Sequence, residues 1–463
     1  MKNKPIHKSG WLASLKGGGG SAQSSTKFRT QRFKAAVVSS VAGKGLSVAL
    51  QLGALPFAIS ELGVTRYGIY AMIVALLNWL NMAGLVIAPG LTAQMIGANS
   101  NGKRDVESQL FCTAFQFVII LSILVFVGLE ILFSFAGISN LFGAEVLEYQ
   151  NEVQLSLHIM ATLMAIGLLL SVVEAAQAAY QNQFVMNLLA ILGSALSIVG
   201  IIFLLKESPT IPALIISIYG CTIFVKILNA MYLFWNRPYL LPWRGSFSRN
   251  ALMKMISIGA AFLLTVAGTF LYQNFSIFWA GRKIGPDAAA QVSVMLLVVS
   301  MSGSVLMTVT QALWPAIQDA MMRKDFSWVS KAYDRMQCNL VPYILVASLL
   351  LGYFGQDILS FWLKTDVVLE PLLCILWGIY FFVIAWEHLN YTFLVGFGRT
   401  WFASIPFMLG AIVMLGVIIL ISDTAGLNGI FLGLCIGPIA ITSWLYPLEI
   451  RKTLSIYYNE RAF

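Results

Sequence analysis

The stretch AAAQVSVMLLVVSMSGSVLMTVTQALWPAIQ, residues 288–318, carries no ionised side chain from end to end. Residues 68–91, 108–129 and 255–281 are equally bare of charge. A helix needs about 20 apolar residues to cross the hydrocarbon core of a bilayer. Working outward from these four, apolar periodicity places spans at 35–57, 69–91, 110–133, 154–176, 184–205, 211–234, 254–279, 289–314, 340–362, 368–390, 402–422 and 427–447. The expected fold class is an all-α integral membrane protein of about 12 transmembrane helices.

Composition points the same way. The chain of 463 residues is 59% hydrophobic and 11% charged, whereas soluble domains run near about 25% charged. Twelve spans leave only short connections and no room for an extramembrane domain. The five cysteines, Cys112, Cys221, Cys338, Cys374 and Cys435, are dispersed, with no metal-site or disulfide spacing.

The net charge of +9 is topological rather than a nucleic-acid footprint. Of the 29 Lys and Arg, 22 fall on one set of alternating connections: the N-terminal tail to Lys34, Lys103-Arg104, Arg237 to Lys254, Arg323 to Arg335, Arg399 and the C-terminal Arg451, Lys452 and Arg461. The other set holds Arg66, Lys206, Arg282, Lys283 and Lys364. The positive-inside rule then puts both termini in the cytoplasm. The tail contains Gly17 to Ser21, a flexible-linker composition, and no cleavable signal peptide is expected, because the first apolar segment is long and begins near Ala35.

The expected organisation is a basic tail (1–34), a six-helix lobe (35–234), a linker (235–253), a second six-helix lobe (254–447) and a C-terminal tail (448–463). The lobes echo one another. Gly63 to Gly68, then an apolar run to Pro89-Gly90, Gln94 and Lys103-Asp105, parallels Gly285 to Ala288, then a run to Pro315-Ala316, Gln318 and Lys324-Asp325. Two pseudo-symmetric halves in the same orientation follow.

The stretch Leu62-Gly63-Val64-Thr65-Arg66-Tyr67-Gly68-Ile69-Tyr70, with Trp79, Gly84 and Pro89-Gly90-Leu91, resembles polysaccharide-export flippases of the Wzx type. Ala176 to Gln181 and Leu394 to Gly398 resemble that family's turns after spans four and ten. These flippases belong to a superfamily shared with multidrug and toxin extrusion (MATE) transporters. The resemblance implies a MATE-like, two-lobed, alternating-access transporter of the bacterial inner membrane. Its cargo would be an oligosaccharide repeat unit on undecaprenyl pyrophosphate, turned to the periplasmic leaflet for O-antigen, capsule or exopolysaccharide synthesis. Its partners would be membrane lipid, a periplasmic-side polymerase and a chain-length regulator. Where many relatives have an acidic residue late in span two, this chain has Ala83-Gly84, so no role for such a carboxylate carries over.

The residues themselves nominate sites, because an intramembrane charge costs at least about 2.5 kcal/mol. Lys44 lies mid-span between Gly43 and Gly45, about 15 Å from the interface, far for one lysine to snorkel. Lys226 in span six lies closer to interfacial water. Lysines of this kind suit a pyrophosphate. Arg66 and Arg282 occupy comparable connections in the two halves and are candidates to receive the head group, or simply solvated loop charges. Asn78, Asn81, Gln273, Asn274 and Gln311 suit glycan hydroxyls, with interhelical bonding as the alternative. Glu174 and Glu387, at similar places in spans four and ten, are candidates for gating or ion coupling with His388 and Arg399. No resident cofactor is expected; a coupling ion, H+ or Na+, stays open.

Nothing in the sequence makes an enzyme. There is no ATPase-type phosphate loop, and three scattered histidines and five cysteines provide no catalytic or metal arrangement. Two functions remain: a lipid-linked oligosaccharide flippase, or a cation-coupled multidrug exporter on the same architecture. The exporter predicts an acidic cavity, yet spans one, two, seven and eight contain no Asp or Glu.

Overall fold

The computed structural model describes residues 53–459 except 81, 83, 85 and 364–367. Lys44 and Asn81 lie outside the described residues, as do the tail 1–34 and the side chain of Gln311. Helices joined by short connections make up that range: α1 (Gly53–Leu62), α2 (Val64–Leu77), α3 (Ala88–Ser100), α4 (Arg104–Ala136), α5 (Gln150–Ala179), α6 (Gln183–Glu207), α7 (Ile211–Asn236), α8 (Arg249–Phe270), α9 (Ser276–Lys283), α10 (Pro286–Met322), α11 (Phe326–Leu363), α12 (Pro371–Gly396), α13 (Thr400–Ala440) and α14 (Thr442–Asn459).

Local chemistry sets the boundaries. Gly63, at φ 80°, turns the chain by 118° between α1 and α2, a backbone conformation that glycine adopts without a Cβ penalty. Pro89, Pro212 and Pro371 stand in the first turns of α3, α7 and α12, where the missing N–H is not needed and φ is preset. Span two, expected as one run over 69–91, is instead broken. It tightens into a 3-10 turn at Asn78–Leu80 and turns again at Val86-Ile87 before α3 begins at Ala88, with Pro89 in its first turn.

Among the described residues, eight helices are long and apolar enough to cross a bilayer, or up to ten when each of two bent pairs counts as one. One of the eight is itself two spans. Within α13, Gly426 has φ 56° and ψ −133°, and Gly437 lies against Gly410 while Gly433 lies against Met414 and Ile418. On a single straight helix residues 410 and 437 would be about 40 Å apart. The chain therefore doubles back at Gly426, as expected for spans eleven and twelve.

Helix faces sort by their surroundings. On α4, Ile120, Ile123, Leu124, Val127 and Ile131 all point outward, and only 11% of that helix's most apolar window is buried. Such a surface would associate in water and suits lipid contact. This is a multi-pass membrane protein.

The halves meet along α2–α3 and α8–α9, which run antiparallel. Met72 packs on Gly281, Asn78 bonds Asn274, Val86 packs on Gly259, and Gly90 on Met255. At the end carrying Arg66, Gly68 also abuts Pro286 of α10. The connection after α7 is pinned to the first half. Ser108 Oγ donates to the Tyr239 carbonyl at 2.8 Å, and the Ser248 N–H donates to Thr113 Oγ1 at 3.0 Å. Buried Glu107 accepts hydroxyl hydrogen bonds from Tyr180 and, at 2.8 Å, from Tyr239.

Candidate functional site

Each half encloses a cavity. The first, of about 730 Å³, lies among α1, α2, α5, α6 and α7, with Leu297 of α10 at its edge. Its wall on α6 extends from Gln183 to Ile201, about 27 Å along the helix, close to the about 30 Å of a hydrocarbon core. The second, of about 280 Å³, lies among α8, α10, α12 and α13. Both are lined by a π-helical turn: Ile216–Gly220 contributes Ile218 and Tyr219 to the first, and Leu271–Phe275 contributes Tyr272 and Gln273 to the second. Such turns redirect side chains out of the regular helical stripe and recur at functional sites.

The first cavity is polar at the end nearest Arg237. Lys226 Nζ meets Glu174 Oε2 at 3.1 Å, and both side chains line the cavity with Gln183, Asn187 and Asn229. Behind this pair Asn182 Nδ2 donates to Gln177 Oε1 at 2.7 Å, and Gln177 Nε2 donates to Asn229 Oδ1 at 2.9 Å. Toward the opposite end the wall carries the rings of Tyr67, Tyr70 and Tyr219. Aromatic faces, amides and one ammonium make a surface able to hold hydroxyl-rich and anionic groups together.

The second cavity is acidic and drier. Glu387 is 1% exposed, and neither carboxylate oxygen has a hydrogen-bond partner among the described residues. The Thr442 hydroxyl neighbours this carboxyl and donates to the Pro438 carbonyl at 3.1 Å. Tyr272, 2% exposed, also has an unpartnered hydroxyl. His388 Nε2 shares a 2.9 Å hydrogen bond with Thr310 Oγ1. An unpartnered carboxylate is costly to bury unless a proton or cation neutralises it.

The other nominated residues fall elsewhere. Arg66 donates to Glu152 Oε1 at 3.0 Å, with its guanidinium over the Tyr149 ring. Glu152 also accepts the Ile211 N–H at the start of α7. Arg282 is exposed at the end of α9, and neither arginine is among the residues lining these two cavities. Asn78 Nδ2 donates to Asn274 Oδ1 at 3.3 Å, so these amides meet each other across the halves. Gln273 lines the second cavity. Arg399 pairs with Glu449, not with Glu174 or Glu387. His158 Nδ1 lies 2.7 Å from Glu130.

Gln183, Asn187, Asn229 and Tyr219 join the first cavity without having been nominated. Their signal was positional: Asn229 stands three residues beyond Lys226, on the same helix face.

No family model matches the chain, and no curated protein matches it. Solved structures do. An inward-facing multidrug-resistance MATE family transporter of the MOP superfamily superposes with a TM-score of 0.72 at 16% identity, over 90% of this chain and 95% of that one. An outward-facing conformation of such a transporter gives 0.62 at 13%, over 92% and 96%. A MOP superfamily transporter from Pyrococcus furiosus, described as having a binding pocket of reverse polarity that suggests a different function, gives 0.60 at 16%, over 91% and 96%. The chain has the fold of the MATE transporters of the MOP superfamily.

Proposed function

We propose that this protein is a flippase that turns undecaprenyl-pyrophosphate-linked oligosaccharide repeat units from the cytoplasmic to the periplasmic leaflet by alternating access. The observation that carries the reading is the first cavity. Lys226 is the one cation lining it among the described residues, and it stands beside amides and tyrosine rings suited to a glycan. The fold supports the transport mode, since it is shared with transporters solved facing inward and outward. On this reading the Arg237 end faces the cytoplasm of a bacterial inner membrane, and the lobes are 35–234 and 254–447. The product passes to a polymerase and chain-length regulator.

Glu387, with His388 behind it, is the proposed site of a coupling proton or sodium ion. The same carboxyl is what favours the second reading, a cation-coupled multidrug exporter, whose cationic cargo would need an acidic cavity.

Deleting the gene in its native host tests the choice. The flippase reading expects lipid-linked oligosaccharide to accumulate on the cytoplasmic leaflet and surface glycan to disappear, both reversed by complementation. Unchanged glycan with sensitivity to cationic compounds supports the exporter.

A further inference from the structure

Two polar rungs join α5 to α7 at the same sequence offset. Glu174 meets Lys226, and Gln177 meets Asn229. Residues three apart share a helix face, so the rungs stack one turn apart. Their surroundings differ. Gln177 is 0% and Asn229 4% exposed, and their bond is backed by Asn182. The side chains of Glu174 and Lys226 remain 34% and 28% accessible, on the cavity wall.

The neutral rung holds the helices in register whether or not the ionic rung is closed. The ionic rung is the more open of the two, so its ammonium is within reach of a ligand in the cavity. The ammonium has three donors, and Glu174 Oε2 is its hydrogen-bond partner among the described residues. Asn229 accepts from Gln177 through Oδ1, which leaves its amide N–H groups as donors one turn away.

We infer that Glu174 is a built-in competitor for the anion site at Lys226, holding the ammonium in the empty cavity and being displaced by the phosphate head of an amphiphilic ligand, which Lys226 and Asn229 then share. The inference rests on the flippase reading for the lipid nature of that ligand. It adds the atoms that grip the head group and the group that must first let go. A carboxylate neutralises Lys226 while no ligand is present, and both side chains stay open to the cavity. It also rejects neutral lipids, which cannot displace it.

The test measures binding of farnesyl diphosphate, with farnesol as the neutral control, to the purified full-length protein in nanodiscs. Glu174→Gln should bind farnesyl diphosphate at least about fivefold tighter than the native protein, the lower range for coupled sites. Lys226→Gln should lose at least about tenfold, and Glu174→Gln/Lys226→Gln should bind no better than Lys226→Gln. The thermal midpoint of Glu174→Gln should match the native one, because the Gln177–Asn229 rung persists. Weaker or unchanged binding by Glu174→Gln, or full binding by Lys226→Gln, overturns the competitor role and leaves the flippase reading standing. Equal native affinity for farnesyl diphosphate and farnesol overturns the anionic-cargo reading and the competitor role together.

Discussion

Gly90 of α3 lies so close to the Met255 carbonyl of α8 that no side chain fits between them. Gly259 repeats the contact one turn further along α8, against the Val86 carbonyl. Close backbone approach through small residues is how membrane helices gain packing energy without a hydrophobic drive. The first half and the start of α8 therefore touch backbone to backbone. Gly90→Val should cost about 2 kcal/mol, the usual scale of overpacking, and lower the thermal midpoint of the purified protein. A midpoint equal to the native one would mean that this contact is not tight.

Gly68 plays the corresponding part at the other end, against the Pro286 carbonyl. Gly68→Ala should hold α2 and α10 apart there. A cysteine placed at Leu297, on the edge of the first cavity, should then react faster with a membrane-impermeant thiol reagent added on the Arg66 side. Unchanged labelling would argue against α2 and α10 as the seal.

The Asn78–Asn274 bond crosses the halves near mid-span. Asn274→Ala should cost only about 1 kcal/mol, as interhelical polar contacts in membranes do. A double-mutant cycle with Asn78→Ala should show coupling of the same size. Additive losses would mean that the two amides act separately.

Glu107 is 2% exposed and accepts from both Tyr180 and Tyr239, while Arg237 lies 3.5 Å over the Tyr180 ring. Burial and the bond to Glu107 push the Tyr180 phenol well above its ordinary range, so it stays a donor at any physiological pH. Tyr239→Phe removes one of the two donors to a buried carboxylate and should cost about 2 kcal/mol. A melt within experimental error of the native one would show that the connection after α7 is held by other contacts.

Much of the fold was legible because apolar length is a strong signal. The spans read as 402–422 and 427–447 do part at Gly426, and those read from 211 and 368 begin as helices at Ile211 and Pro371. The 3-10 turn in span two was harder to read, since the run 69–91 carries no charge and no proline before Pro89. The sites were legible as residue types and not as partners. Glu174 and Lys226 stand 52 positions apart, and only the packing of α5 on α7 brings them together. Arg66 and Arg282 look equivalent in sequence, yet the first is taken by Glu152 and the second faces outward. For Asn78 and Asn274 the sequence leaves a glycan wall and an interhelical bond both open, and the antiparallel run of α2–α3 against α8–α9 places the two amides face to face.

Glu387→Gln separates coupling from packing. The amide keeps the shape and removes the group that a proton or sodium ion would neutralise. Abundance and thermal midpoint should hold or rise, while transport loses its dependence on the proton or sodium gradient. Transport that stays gradient-dependent in a stable variant would place the coupling elsewhere.

The most direct measurement reconstitutes the purified protein in liposomes with fluorescent undecaprenyl-pyrophosphate-linked oligosaccharide and follows its leaflet distribution. The account predicts that the native protein moves the lipid between leaflets and that Lys226→Gln, at equal abundance, does not. Native vesicles that leave the lipid where it started, or a Lys226→Gln variant that flips it at the native rate, would contradict it.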